Sequence, residues 1–302
     1  MISPTMPHLT HRARSKPPVS AASSEPLPAF PRGRASSADD GEVGIRGRSG
    51  SDLAATALLG LLMILATVAS PAGAQASATQ LTSPDPYAGA RSQMIDSQVR
   101  GRGITEPRVI SAMEMVPRHL FVPRDKESRV YEDGPVEIAP GQTLSQAYVS
   151  ARMISLLELD ENDRVLEIGT GSGYDAALLS KMAKEVLTIE IDPRLGERAQ
   201  QNLERLGYSN VEVKIGDGYR GWPEKAPFDA ILLTAAPQRI PEPLFEQLAV
   251  GGKMVVAVGY SLHQDLKVIT KTGKNEREVR RVSLISLAPM RGEIDDPSNR
   301  RR

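Results

Sequence analysis

The segment that most constrains this chain is RVLEIGTGSGY, residues 164–174. A short apolar strand runs directly into a turn with glycine at 169, 171 and 173. Glycine reaches conformations that a Cβ forbids, and it lets the main chain approach a ligand closely. Strand, glycine turn and helix in that order open a doubly wound α/β unit, whose ligands sit beyond the carboxyl ends of parallel strands. The flanking pattern agrees. It predicts strands over 186–191, 211–215, 228–234, 253–258, 266–270 and 280–287, with helices over 174–182, 193–206 and 241–248 and a turn at Gly251-Gly252. Such alternation predicts a mostly parallel seven-stranded sheet covered on both faces, with an antiparallel edge at the C-terminal end.

Upstream, the period is helical. Met94, Ile95 and Val99 place a helix over 91–102, and Val109, Ile110 and Met113 place a second one opening at Pro107. Proline suits a first turn, where its missing N–H would have no partner anyway. A third helix is expected over 146–159. Residues 91–160 thus read as a helical cap, 161–292 as the sheet, and 293–302 as a polar tail.

The first ninety residues differ. Positions 1–52 carry seven Lys/Arg, five Asp/Glu and seven prolines, a composition expected to be disordered. Positions 53–69, LAATALLGLLMILATVA, contain no charge. This run falls short of the about 20 residues that span a bilayer. With the small residues that follow, 53–76 reads as a secretory signal or an anchor, and any membrane contact would be confined to 53–69. Residues 77–90 read as a linker.

Composition excludes several chemistries. With no cysteine there is no disulfide scaffold, thiolate metal site or cysteine nucleophile. Four histidines, two of them near the N-terminus, leave little for a zinc centre, and no metal is expected. Lys and Arg balance Asp and Glu at 37 each, which argues against nucleic acid as a partner.

The strand ends carry the site. The glycines stand in a G-x-G-x-G pattern with Tyr174 after them, unlike the G-x-G-x-x-G of dinucleotide turns, and no GK[ST] follows. Glu190 ends the next strand, where a carboxylate can accept ribose hydroxyls. Asp192, before Pro193, reads better as a helix N-cap. Asp217, between two glycines, is placed to reach an adenine amino group or to fix its own turn, and Gly218 gives backbone access. A nucleoside-type cofactor is the expectation, held by Glu167, Gly169, Thr170, Gly171, Gly173, Glu190, Asp217 and Gly218.

The G-x-G-x-G spacing after Glu167 looks like the first motif of S-adenosylmethionine-dependent methyltransferases. The wider sequence resembles one family of them, the protein-L-isoaspartate O-methyltransferases, over roughly 88–292. The resemblance rests on VPRHLFVP (116–123), YED (131–133), PGQTLSQAY (140–148), GDGYRGWPEKAPFDAILLTAAP (216–237), PEPLFEQLAVGGKMVVAVG (241–259) and LAPMRGE (287–293). It implies a class I Rossmann-like fold and S-adenosyl-L-methionine as cofactor. It also implies methyl transfer to the free α-carboxylate of L-isoaspartyl residues in damaged proteins and peptides; the ester then cyclises to a succinimide that can return to aspartate. Ser145 matches the family serine beside the acceptor carboxylate, with Gln142, Thr143, Gln146 and Thr234 expected around the substrate. Ser145 and Thr143 could equally cap the helix that follows. Ala147 stands where the family usually has proline, and Leu144 where it commonly has isoleucine. His119 reads as structural, and Trp222 as packing beside the adenosine end. A related methyltransferase acting on a small molecule is the alternative; an NAD oxidoreductase would need glycine at 174. A monomer is expected. Cofactor supply makes the cytoplasm the expectation, with export to the periplasm or anchoring through 53–69 as the alternative.

Overall fold

A computed structural model describes residues 85–260 and 263–295. The expectations for 1–52 and 53–76, and most of the 77–90 linker, lie outside these residues. No helix among the described residues is long and apolar enough to cross a membrane.

The cap opens with α1 (Ala88–Met94), three residues before the expected start. The predicted single helix over 91–102 is in fact broken. A π-helical turn at Ile95–Val99 and a 3₁₀ turn at Arg100–Arg102 follow α1, and Gly103 ends the run at φ +86°. Helix α2 (Pro107–Met115) is capped by the Glu106 carboxylate, which accepts from the amides of Arg108 and Val109. Its apolar face buries Val109, Ile110 and Met113.

Two short strands were not expected. β1 (Val136–Ala139) and β2 (Gln142–Leu144) form an antiparallel hairpin. Gly141, at φ +73°, makes the turn between them. Helix α3 (Ala147–Ser155) follows, shorter than predicted, with Gln146 in the N-cap position.

The sheet then unfolds as read: β3 (Arg164–Ile168), α4 (Tyr174–Ser180), β4 (Glu185–Glu190), α5 (Pro193–Arg205), β5 (Val211–Ile215) and β6 (Phe228–Leu233). Asp192 caps α5, its carboxylate accepting from the amides of Arg194 and Leu195. Helix α6 (Glu242–Gln247) leads into β7 (Leu248–Val258), then β8 (Gln264–Lys271) and β9 (Arg277–Ile285). The order is β5-β4-β3-β6-β7-β8-β9, with parallel pairing through β7 and antiparallel pairing beyond it. Chain direction across the sheet reverses between β3 and β6, the kind of switch point where open α/β sheets bind ligands.

Gly251-Gly252 was expected to turn the chain but lies within β7. A Cβ on Gly252 would come 2.7 Å from the Asp229 carbonyl oxygen, so glycine permits the close approach of β6 where the register shifts. The edge strand β9 is largely exposed and carries Arg277, Glu278, Arg280 and Arg281, charges that discourage edge-to-edge pairing. The expected tail also departs from its reading. Glu293–Asp295 form a 3₁₀ turn that buries Ile294 completely, so the folded body includes them.

Candidate active site

Strands β3, β4, β5 and β6 end at one edge of the sheet, and a cleft opens there of about 810 Å³, its solvent mouth included. Gly169, at φ +101°, leaves β3 with its amide on the Ile189 carbonyl at 2.8 Å. A Cβ there would lie 2.5 Å from Thr234 Oγ1. That hydroxyl donates to the carbonyl of Gly169 at 2.6 Å, so the glycine turn is pinned to the end of β6. Gly218 is just as tight, since a Cβ would lie 2.5 Å from the Ile168 side chain. Close backbone approach on both sides of β3 is therefore a packing fact as well as a binding one.

Glu190 is buried and lines the cleft. One carboxylate oxygen accepts from the Gly171 amide at 2.8 Å, the other from the Asp192 amide at 2.9 Å. Each oxygen keeps a lone pair, so the group is fixed and still able to accept from a diol.

Gln142, Thr143 and Ser145, from β2 and the residues after it, line the same cleft. The Ser145 hydroxyl makes no hydrogen bond among the described residues, and Gln146 caps α3 without a side-chain bond. Neither Ser145 nor Thr143 is used as a helix cap. Ala147 occupies the first helical position, where the amide has no intrahelical partner and proline or alanine fits equally.

Four expected site residues do not line the cleft. Gly173, at φ +87°, sits at the start of α4, where a Cβ would press on Leu203 at 3.2 Å; it lets α4 and α5 pack. Glu167 is fully buried beneath the turn and accepts from the Thr188 hydroxyl at 2.6 Å. Burial pushes its carboxyl well above the usual range, and the nearby acids Asp175 and Glu190 push it further against the Thr188 hydrogen bond. Asp217 accepts from the amides of Tyr219 at 2.8 Å and Glu293 at 2.6 Å, because the closing segment folds back over it. Gln146 turns to the Asp133 carboxylate, a partner with more to offer its amide than open solvent. Thr170 does line the cleft, with its hydroxyl 2.6 Å from that of Thr188.

Sequence reasoning missed three contributors. Arg118, 1 % exposed, donates to the carbonyls of Val130 at 3.0 Å and Ser145 at 2.5 Å, and its guanidinium lies 4.8 Å from the Tyr174 ring centroid. It joins the acceptor loop to the helix that follows the glycine turn. Its place in VPRHLFVP was the available signal. Asp175 lines the cleft floor, its carboxyl raised by burial against the Ser150 hydroxyl and Arg118. Arg291, from LAPMRGE, is the one cation lining the cleft among the described residues.

His119 and Trp222 lie elsewhere. His119 is buried, with Nδ1 2.9 Å from the Tyr131 hydroxyl and its ring 4.5 Å from that of Tyr87. Burial lowers its pKa. Trp222 packs against the buried cluster that includes Phe228, Leu244 and Leu248, with Lys214 Nζ 4.9 Å from its ring centre. No cluster of three or more His, Asp or Glu among the described residues could hold a metal.

The family model described as Protein-L-isoaspartate(D-aspartate) O-methyltransferase (PCMT) matches residues 90–293. The chain belongs to the protein-L-isoaspartate O-methyltransferase family. It is 46 % identical over 208 residues to the protein-L-isoaspartate O-methyltransferase of Picosynechococcus sp., covering 69 % of this chain and 93 % of that one. Against the enzyme of that name from Methanoculleus marisnigri it is 49 % identical over 193 residues, 64 % of this chain and 88 % of the relative. A solved protein-L-isoaspartate O-methyltransferase superposes with TM-score 0.63 at 29 % identity, covering 70 % of this chain and 69 % of that one. A Plasmodium falciparum structure described as a putative member, in complex with S-adenosyl-L-homocysteine, shares the fold at TM-score 0.58 and 24 % identity, over 67 % and 98 % of the two chains. The reaction of the family is methyl transfer from S-adenosyl-L-methionine to isoaspartyl residues of proteins. The cleft fits that cofactor. Glu190 is a fixed carboxylate with lone pairs left to accept hydroxyl donors, the glycines leave room for close approach, and Asp175 and Glu190 line a space suited to a cationic group.

Proposed function

We propose that Glu190 and the turn Gly169–Thr170–Gly171 hold S-adenosyl-L-methionine, while Ser145 orients the α-carboxylate of an isoaspartyl residue across the cleft. When bound, the cofactor supplies an electrophilic methyl on a positively charged sulfur. An isoaspartyl α-carboxylate, with a pKa near ~4, is ionised at neutral pH and needs no base to act as nucleophile. His119, engaged with Tyr131 outside this cleft, is accordingly left out of the chemistry.

The protein's part is then position and charge. Ser145 donates its free hydroxyl to one carboxylate oxygen and turns the other toward the methyl, with Thr143 and Gln142 beside it. Glu190 repels a second anion and keeps the acceptor on the Ser145 wall. Holding reactants in line lowers a barrier by about 7–11 kcal/mol in favourable cases. The observation that carries this reading is that a Ser145 hydroxyl with no partner among the described residues and a fixed Glu190 carboxylate line one cleft. The test is labelled methyl transfer to two peptides differing only in isoaspartate or aspartate at one position. Labelling confined to the isoaspartyl peptide is the expected result. Equal labelling of both, or of neither, would overturn the reading.

A further inference from the structure

A second groove adjoins the cleft, and Ile138 and Ser172 line both. Its walls carry Arg124, Arg198 and Arg205 against a single acid, Glu127. The folded part as a whole holds no excess of basic residues, so this concentration is local. Arg198 and Arg205 stand seven residues apart on α5, two helical turns, and so share one face. Glu197 and Glu204, also exposed, fall about 80–120° around the helix from them at 100° per residue.

Arg124 and Arg198 are exposed and have no hydrogen bond or ion pair among the described residues, while Arg205 is steadied by Asn202 at 2.6 Å. Several surface arginines elsewhere are paired, whereas Arg194, Arg280 and Arg291 are exposed without a partner among the described residues but lie outside this groove. Arg100 pairs with Asp96, Arg220 with Glu293, Arg277 with Glu242 and Arg281 with Asp265. The groove therefore holds uncompensated positive charge next to the acceptor wall. A polypeptide placing one residue in the cleft must lay its flanking residues on the adjoining surface.

We propose that this arginine groove docks acidic side chains flanking the isoaspartyl residue, so that the enzyme prefers damaged sites in acidic sequence. Each exposed pair contributes up to about fivefold in affinity at low salt, and screening weakens it as ionic strength rises. The preference resides in binding and leaves the methyl-transfer step alone.

The test compares isoaspartyl peptides carrying two glutamates, two glutamines or two lysines on either side of the modified residue. For glutamate peptides on at least one flank, KM should fall about tenfold relative to the glutamine peptides, with kcat unchanged, and 0.5 M NaCl should erase the difference. In the double variant Arg124→Glu/Arg198→Glu, the lysine peptides should become the preferred ones while the glutamine peptides keep their wild-type kcat/KM. Equal KM across the charge series on both flanks, or a preference that survives charge reversal, would overturn the proposal. Methylation of the glutamine peptides shows that the family reaction is intact in either case.

Discussion

The cofactor wall of the cleft is formed by turns at the ends of adjacent strands, whereas the acceptor wall hangs on one buried side chain from a distant segment. Gly169 and Gly171 take left-handed conformations where β3 ends, and Glu190 is fixed by amides from its own loop and the neighbouring glycine turn. Ser145 depends on Arg118, 27 residues earlier, which in turn rests on Tyr174. One wall is set by local conformation at strand ends, the other by a buried side chain spanning three segments. The two walls should therefore fail separately.

The largest effect is expected on the cofactor wall. Glu190→Ala removes the proposed acceptor for two ribose hydroxyls and leaves the Gly171 and Asp192 amides without their partner. Hydrogen bonds to charged groups contribute about 1.5–3 kcal/mol each, so S-adenosyl-L-homocysteine affinity by calorimetry should drop at least about 100-fold. A drop under threefold in a folded variant would show that Glu190 is not the ribose ligand.

This wall was legible because its signals are local. The strand, the glycine turn and the start of the helix lie within eleven residues, and the Asp192-Pro193 cap is a property of neighbouring residues. The acceptor wall was less legible. The hairpin β1–β2 has strands of four and three residues, too short for alternation to register. Gln146 and Asp217 looked available for ligands, but their partners, Asp133 and the Glu293 amide, come from segments that only the fold brings near. Glu167 was read as a ligand from its place before the glycines, yet a fully apolar-flanked strand position buries it. Arg118 was marked only by its place in VPRHLFVP, and nothing in the residue itself pointed to its work on backbone carbonyls.

Arg118→Lys should break the other wall. Lysine keeps the charge but cannot reach two carbonyls as a planar fork does. Misplacement of a reacting group by about 1 Å can lower rate 100-fold, so kcat for an isoaspartyl peptide should fall about 10- to 100-fold. S-adenosyl-L-homocysteine affinity should stay within about twofold. Parallel losses in both measurements would mean that the walls are one unit.

The smallest effect concerns stability beneath the turn. Glu167 has a folded pKa raised chiefly by burial, so the folded state holds its proton above the pH at which the unfolded chain releases it. Stability contributed by this group is full below the unfolded value near ~4.3 and declines as pH rises from there toward the folded value. Glu167→Gln, which cannot ionise, should match the parent protein in melting temperature near pH 4 and exceed it by a few degrees at pH 7–8. A variant less stable at pH 8 than at pH 4, relative to the parent, would contradict the assignment.

The separation of the walls is tested most directly by Ser145→Ala, with two readings on one preparation: S-adenosyl-L-homocysteine affinity, and kcat/KM for the isoaspartyl peptide. Ser145 touches the acceptor alone in this account, so affinity should stay within about twofold while kcat/KM falls about 10- to 100-fold, the share of one oriented hydrogen bond and the alignment it gives. Unchanged kcat/KM, or a loss of cofactor affinity as large as the loss of transfer, would contradict it.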